Sequence, residues 1–198
     1  MFSLSRVSRS AVVLTVLAVT LAGCGGDGDE KADDSSSSSS GAVASEVDPA
    51  TGPTLKTDDF SYNAPEGWED AGSAMPGAES VAANTSDDDG FADNLNVLRI
   101  APAPVSDLDD LEDASVNELE GADATDVKIQ DRAAIDGLEA IHVSAGMSLN
   151  GNDYLVEQYN VIRDDVSFIV TFSFSPDVSE GDRADLSQSV LASWAWAS

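Results

Sequence analysis

Few side chains in this chain are suited to chemistry. There is one cysteine, Cys24, and one histidine, His142. A lone thiol forms no disulfide within the chain and supplies no multi-thiolate metal site. His142 sits in "LEAIHVSAG", out of phase with Ile141 and Val143, as a polar residue on a strand does. Any Ser-His-Asp scheme has to use this ring, and no Gly-x-Ser-x-Gly elbow is present. A zinc site needs further ligands around it, and the sequence suggests none. The acidic run "TSDDDGFADN" invites a calcium test. Placing Gly90 at the sixth position of an EF-hand loop puts Thr85 at the first and Asn96 at the last, where carboxylates are required. A looser site on Asp87, Asp88, Asp89 and Asp93 competes with the plainer reading of a solvated acidic loop. No phosphate loop or dinucleotide fingerprint occurs, so neither a cofactor nor a catalytic residue is assigned.

The position of Cys24 is informative. "MFSLSRVSRS" carries Arg6 and Arg9 and no acid, and "AVVLTVLAVTLAG" follows as an apolar run of 13 residues. That is the layout of an export signal, and it is short of the roughly 20 residues of a bilayer-spanning helix. The run ends in Leu21-Ala22-Gly23-Cys24, which resembles a bacterial lipobox. The resemblance implies a signal over residues 1–23, a diacylglyceryl group on the Cys24 thiol, and Cys24 as the mature N-terminus. Two acyl chains suffice for stable membrane anchoring, where one gives marginal binding. The expected location is the outer face of the cytoplasmic membrane.

The formal net charge is −28, and losing Arg6 and Arg9 leaves 7 basic residues against 37 acidic ones, or −30. Such a chain is repelled by nucleic-acid phosphate and by anionic head groups, so no nucleic-acid partner is expected and attachment falls to the lipid. The segment 24–55 is dominated by Gly, Ser and Asp, has no apolar periodicity, and cannot repay its ordering entropy by burial. It is expected to be a flexible linker; its 31 residues after Cys24 reach roughly 30 Å as a random coil, and more with charge repulsion.

Patterning changes beyond it, and a folded domain is expected over 56–198. "FSYNAPEGW" reads as a strand ending in a turn before Trp68; "ESVAA" and "LNVLRIA" read as two more strands. "PVSDLDDLEDASVNELEG" reads as a helix capped by Ser106 with Asp109, with Leu108, Leu111, Ser115 or Val116, and Leu119 on one face. Four strands follow: "VKIQDRAAI", "LEAIHVSAGMSL", "DYLVEQYNVI" and "VSFIVTFSF". They are joined at Asp136-Gly137, Asn150-Gly151 and Arg163-Asp164-Asp165, residues that tolerate the positive φ of tight hairpins. Val166, Phe168, Val170, Phe172 and Phe174 alternate onto one face. After Pro176, Ser179 with Asp182 caps a last helix carrying Leu186, Val190 and Trp194. The fold class is therefore α+β: an antiparallel sheet, with a four-strand C-terminal meander and N-terminal strands, covered by helices on both sides.

This order of elements and the "FSYNAPEGW" entry resemble the PsbP/Mog1-type α/β/α sandwich, and more closely the LpqN-type lipoproteins of actinobacteria, over about 140 residues. The resemblance implies a non-enzymatic adaptor that binds another envelope protein, since that superfamily is mostly accessory and assembly factors. The alternative is a carrier of a small apolar ligand between sheet and helix, lined by Trp194, Trp196 and the Phe-rich strand. A hydrolase is the remote third.

Overall fold

The computed structural model describes residues 47–87 and 91–198. Cys24, the export signal and most of the expected linker lie outside them. The elements are β1 (Thr54–Lys56), β2 (Phe60–Asn63), β3 (Glu69–Asp70), β4 (Ser80–Ala83), β5 (Asn94–Ile100), α1 (Leu108–Gly121), β6 (Thr125–Ile129), β7 (Ala133–Ile135), β8 (Leu138–Leu149), β9 (Asn152–Arg163), β10 (Val166–Phe174), α2 (Glu180–Ala192) and β11 (Ala195–Trp196). Among the described residues no helix is long and apolar enough to cross a membrane.

The main sheet runs β3-β4-β5-β10-β9-β8-β6, with β7 also on β8. Its pairings are antiparallel. The meander is present, and its turns use the conformation their residues favour: φ is positive at Asp136 and Gly137, at Asn150 and Gly151, and at Asp164 and Asp165. Its first strand is broken. β6 and β7 both pair with β8, but residues 130–132 interrupt them, so "VKIQDRAAI" is two strands.

Period-two alternation sends each strand's residues to two different layers. One sheet face presents Leu95, Val97, Tyr159, Val161, Phe168, Val170, Phe172 and Phe174 to Val190 and Leu191 of α2 and to Phe60, Tyr62 and Trp194. The other presents Ile141, Val143, Ala145 and Val156 to Leu111 and Leu119 of α1. Helices therefore lie on both faces, as the patterning predicts.

Three details depart from the sequence reading. β2 does not join the main sheet; it forms a second, three-stranded sheet in the order β1-β2-β11. Trp194 lies just beyond α2, and Trp196 belongs to β11. The expected boundary at Lys56 falls inside the folded chain. Ala50 is buried and its N–H donates to the Ser189 carbonyl at 2.8 Å, while Leu55 joins the core. Gly52 explains how this segment seats: a Cβ there would lie 2.3 Å from the Pro65 carbonyl oxygen and 2.5 Å from that of Ala64, so only glycine permits the approach.

The cap of α1 is also shifted by one residue. Asp107, not Ser106, is the N-cap, and its carboxylate accepts from the N–H groups of Asp109 at 2.8 Å and Asp110 at 3.4 Å. A charged acceptor at the positive end of the helix dipole outcompetes a neutral hydroxyl. Asp107→Ala is expected to cost about 1 kcal/mol and Ser106→Ala close to nothing. Urea unfolding of the two variants checks this, and equal losses would return the cap to Ser106. At α2 the expected cap holds: the Ser179 hydroxyl accepts from the Asp182 N–H at 3.2 Å and donates to its carboxylate at 2.7 Å.

Candidate functional site

His142 is the natural starting point. β8 alternation turns it toward the layer that holds α2. Its cross-strand partner on β9 is Tyr159, and the two rings stack at 4.1 Å and 17°. Two residues along β9 on the same face is Glu157, opposite Ser144. One carboxylate oxygen of Glu157 lies 2.8 Å from His142 Nε2, and the other accepts from Arg183 Nε at 3.0 Å. Arg183 comes from the first turn of α2, and its Nη1 also donates to the Val178 carbonyl at 2.8 Å. The sequence names no partner for His142; the fold gives it the carboxylate of Glu157.

The group is deeply placed: side-chain exposure is 6% for Glu157, 12% for Arg183 and 14% for His142. Burial alone pushes the Glu157 carboxyl up, but the hydrogen bonds from His142 and Arg183 and their charges more than offset this and hold it below its ordinary range. Glu157 is thus an ionised acceptor, and His142 must present Nε2–H to it. The Tyr159 hydroxyl is driven upward by burial and by the nearby Glu157 charge, so it stays protonated.

Two open clefts flank this group. One, of about 730 Å³, lies between the C-terminal half of α2 and the β7–β8 edge; Arg132, Ala133, His142, Tyr159, Leu191 and Trp194 are among its walls. The other, of about 590 Å³, is lined by Thr125, Lys128, Ser144, Gly146, Tyr154 and Arg183 among others. The aromatic residues assigned to a ligand pocket in the carrier alternative mostly pack on one another. Trp194 stacks on Phe60 at 4.5 Å and on Tyr62 at 5.2 Å. Trp196 meets Phe60 edge-on at 6.2 Å and donates Nε1–H to the Ile135 carbonyl at 3.1 Å. Of the three features named for that pocket, Trp194 is the one that also borders the larger cleft.

The acidic loop is only partly described. Asp88 and Asp89 lie outside the described residues. Asp93 is buried and accepts from the Ser175 N–H at 2.7 Å, and Asp87 accepts from Asn84 Nδ2 at 3.3 Å. Among the described residues no three His, Cys, Asp or Glu side chains converge to hold a metal ion.

No protein-family profile matches the chain, and no curated protein matches it. Solved structures do. LpqN of Mycobacterium tuberculosis, involved in cell envelope biogenesis, is 13% identical over 73% of this chain and 84% of its own, with a TM-score of 0.51. A protein of Bacteroides thetaiotaomicron VPI-5482 is 15% identical over 74% of this chain with a TM-score of 0.51. The present chain spans about half of that protein, 49% of its length. Cyanobacterial PsbP from Synechocystis is 14% identical over 78% of this chain and 98% of its own, with a TM-score of 0.47. At these identities the likeness is one of fold.

Proposed function

We propose that this is a lipid-anchored protein of the cell envelope, held at the membrane through Cys24, whose domain acts by binding another envelope protein and not by catalysis. The anchor rests on the Leu21-Ala22-Gly23-Cys24 segment after its basic and apolar runs. The envelope setting agrees with the fold shared with LpqN.

One observation carries the non-catalytic reading: both oxygens of Glu157 are engaged, one by His142 and one by Arg183. In a catalytic histidine–carboxylate pair the carboxylate stabilises the imidazolium that forms during proton transfer. Here the guanidinium already neutralises it. The hydroxyl nearest in register, Ser144, accepts from Gln130 Nε2 at 2.8 Å, and no hydroxyl hydrogen-bonds to the ring among the described residues. The unit ties β8 and β9 to α2. With a charge of −24 from Lys56 onward, 6 basic residues against 30 acidic ones, the domain favours a partner with a basic surface, and association should slow as salt rises.

Two measurements test this. Wild-type protein should fractionate with membranes and give an intact mass with a diacylated Cys24. Cys24→Ser should appear in the soluble fraction or as uncleaved precursor. An unmodified mature N-terminus in the wild type would remove the anchor. Crosslinking in intact cells should recover a protein whose association rate falls with ionic strength and survives His142→Gln. A hydrolytic turnover lost in His142→Gln, with the fold intact, would replace the adaptor reading by an enzymatic one.

The larger cleft favours a second reading, the carrier of a small ligand. It combines a volume of about 730 Å³ with walls from Val47, Ala133, Ala134, Leu191 and Trp194, within the roughly 300–1,000 Å³ range of ligand sites.

A further inference from the structure

We propose that the uncharged segments 71–78 and 100–106, at one end of β4 and β5, form the surface by which this domain binds its partner. The partner is a different protein, presenting an apolar centre ringed by lysine or arginine. This rests on the adaptor reading and gives it an interface.

Charge density sets these segments apart. From Lys56 onward the chain carries 30 acidic and 6 basic residues, yet neither segment holds a charged side chain. Residues 72–77 are exposed without a break, as are 100–102. Met75 at 38% and Ile100 at 39% are two of the four large apolar side chains exposed among the described residues; Ile129 and Leu149 are the other two. Topology brings the two segments to one place. β4 and β5 are antiparallel with Ser80 opposite Val97, and the Glu79 N–H donates to the Val97 carbonyl at 2.8 Å. The chain therefore enters β4 from 71–78 at the end where β5 passes into 101–106. Both segments are shaped before any partner arrives. The Ala74 N–H donates to the Ala71 carbonyl at 2.8 Å, the Ala78 N–H to that of Met75 at 3.2 Å, and the Ala103 N–H to that of Asp165 at 2.7 Å. Pro76, Pro102 and Pro104 restrict the backbone further. A surface already in shape gives up less entropy on binding.

Charge also selects the occupant. Depletion of charged residues, with methionine among those present, is the composition of an interface core, because an unpaired carboxylate is costly to bury. The rim is acidic. Asp70 precedes the first segment, Glu79 and Asp107 follow the two segments directly, and Asp165 is bonded to the second; all four are exposed. Arg99, which precedes the second segment, is already paired with Asp59 at 2.9 Å. A second copy of this chain would set acidic rim against acidic rim, and an anionic leaflet would be repelled in the same way. A different protein with basic residues around an apolar side chain satisfies both the centre and the rim.

The test places a photo-crosslinking residue in the full chain, in intact cells, at position 75, 100, 129 or 149 in turn. All four are exposed apolar positions, so exposure alone predicts equal capture. Positions 75 and 100 should capture the same protein, and 129 and 149 should not. That protein, purified, should bind Met75→Asp and Ile100→Asp about tenfold more weakly than wild type, with the melting temperatures of the variants unchanged. Glu79→Lys should slow its association about three- to tenfold and flatten the salt dependence. Capture at all four positions alike, or at 129 or 149 alone, leaves an adaptor but overturns this surface, as does tight binding to both aspartate variants. Capture of a second copy of the chain, or of lipid, at 75 and 100 overturns the choice of partner. If no position captures a protein, the adaptor reading falls and takes the assignment with it.

Discussion

Arg183→Met is expected to cost about 3–5 kcal/mol at neutral pH, because it leaves an ionised carboxylate in the interior without its guanidinium partner. The loss is not the net value of the ion pair. Glu157→Leu combined with Arg183→Met removes charge and counter-charge together and should be markedly less destabilising than Arg183→Met alone. The pH dependence has a definite sign. The Glu157 carboxyl is held low in the folded protein, so its contribution is present above the unfolded carboxyl's titration, near about 4.3, and is lost as pH falls through the folded value. In Arg183→Met the strained species is the carboxylate itself, and protonating it relieves the strain. The gap between wild type and variant should therefore narrow from pH 7 towards about pH 4. Urea unfolding at several pH values measures it. A gap below about 1 kcal/mol that ignores pH would mean that water reaches Glu157 and that the unit does not tie sheet to helix.

The partnership of His142 was half legible in the sequence. The Asn150-Gly151 turn pairs Leu149 with Asn152, and counting outwards from it places His142 opposite Tyr159, with Glu157 two residues along on the same face. A two-residue hairpin fixes register, so this much follows from the turn alone. Arg183 does not, since its place depends on how α2 docks, and nothing local to "SEGDRADL" encodes that. The same limit explains β2. Its alternation of Phe60 and Tyr62 announces a buried strand, but not which sheet takes it. The sequence does not separate the two cap candidates, because Ser106 and Asp107 are adjacent and both suit the role. The break between "VKIQ" and "RAAI" is silent in the sequence, because residues 130–132 include no glycine or proline. The fold class, the meander and its three turns were readable because hairpin contacts are local and carry their own turn chemistry. Cys24 is the converse case, read from sequence only and outside the described residues.

Deleting the last five residues, 194–198, is expected to abolish cooperative folding of the domain. Trp194 is 4% exposed and covers Phe60 and Tyr62, each 1% exposed. Removing such a ring costs about 3–5 kcal/mol by itself. β11 goes with it, and with β11 the pairings of Ala195 with Ser61 and Trp196 with Phe60. The Ala197 N–H loses the Asp59 carbonyl at 2.8 Å. Arg163 loses both the Ala197 carbonyl at 2.6 Å and the Trp196 ring, 5.4 Å from its guanidinium carbon. These losses act together on one aromatic layer, and their total reaches the roughly 5–15 kcal/mol that holds a typical domain. Near-UV circular dichroism should show the tertiary signal gone and no sigmoidal melt. Trp196→Phe serves as the graded control. It keeps a ring against Phe60 but removes the donor to Ile135, and it should lower the melting temperature by several degrees without loss of cooperativity, at about 2–8 °C per kcal/mol. A deletion variant that still melts cooperatively, within about 10 °C of wild type, would mean that β1, β2 and α2 hold the layer unaided. The sequence reading of Trp194 as one more turn of the last helix would then describe its energetic role better than the three-stranded sheet does.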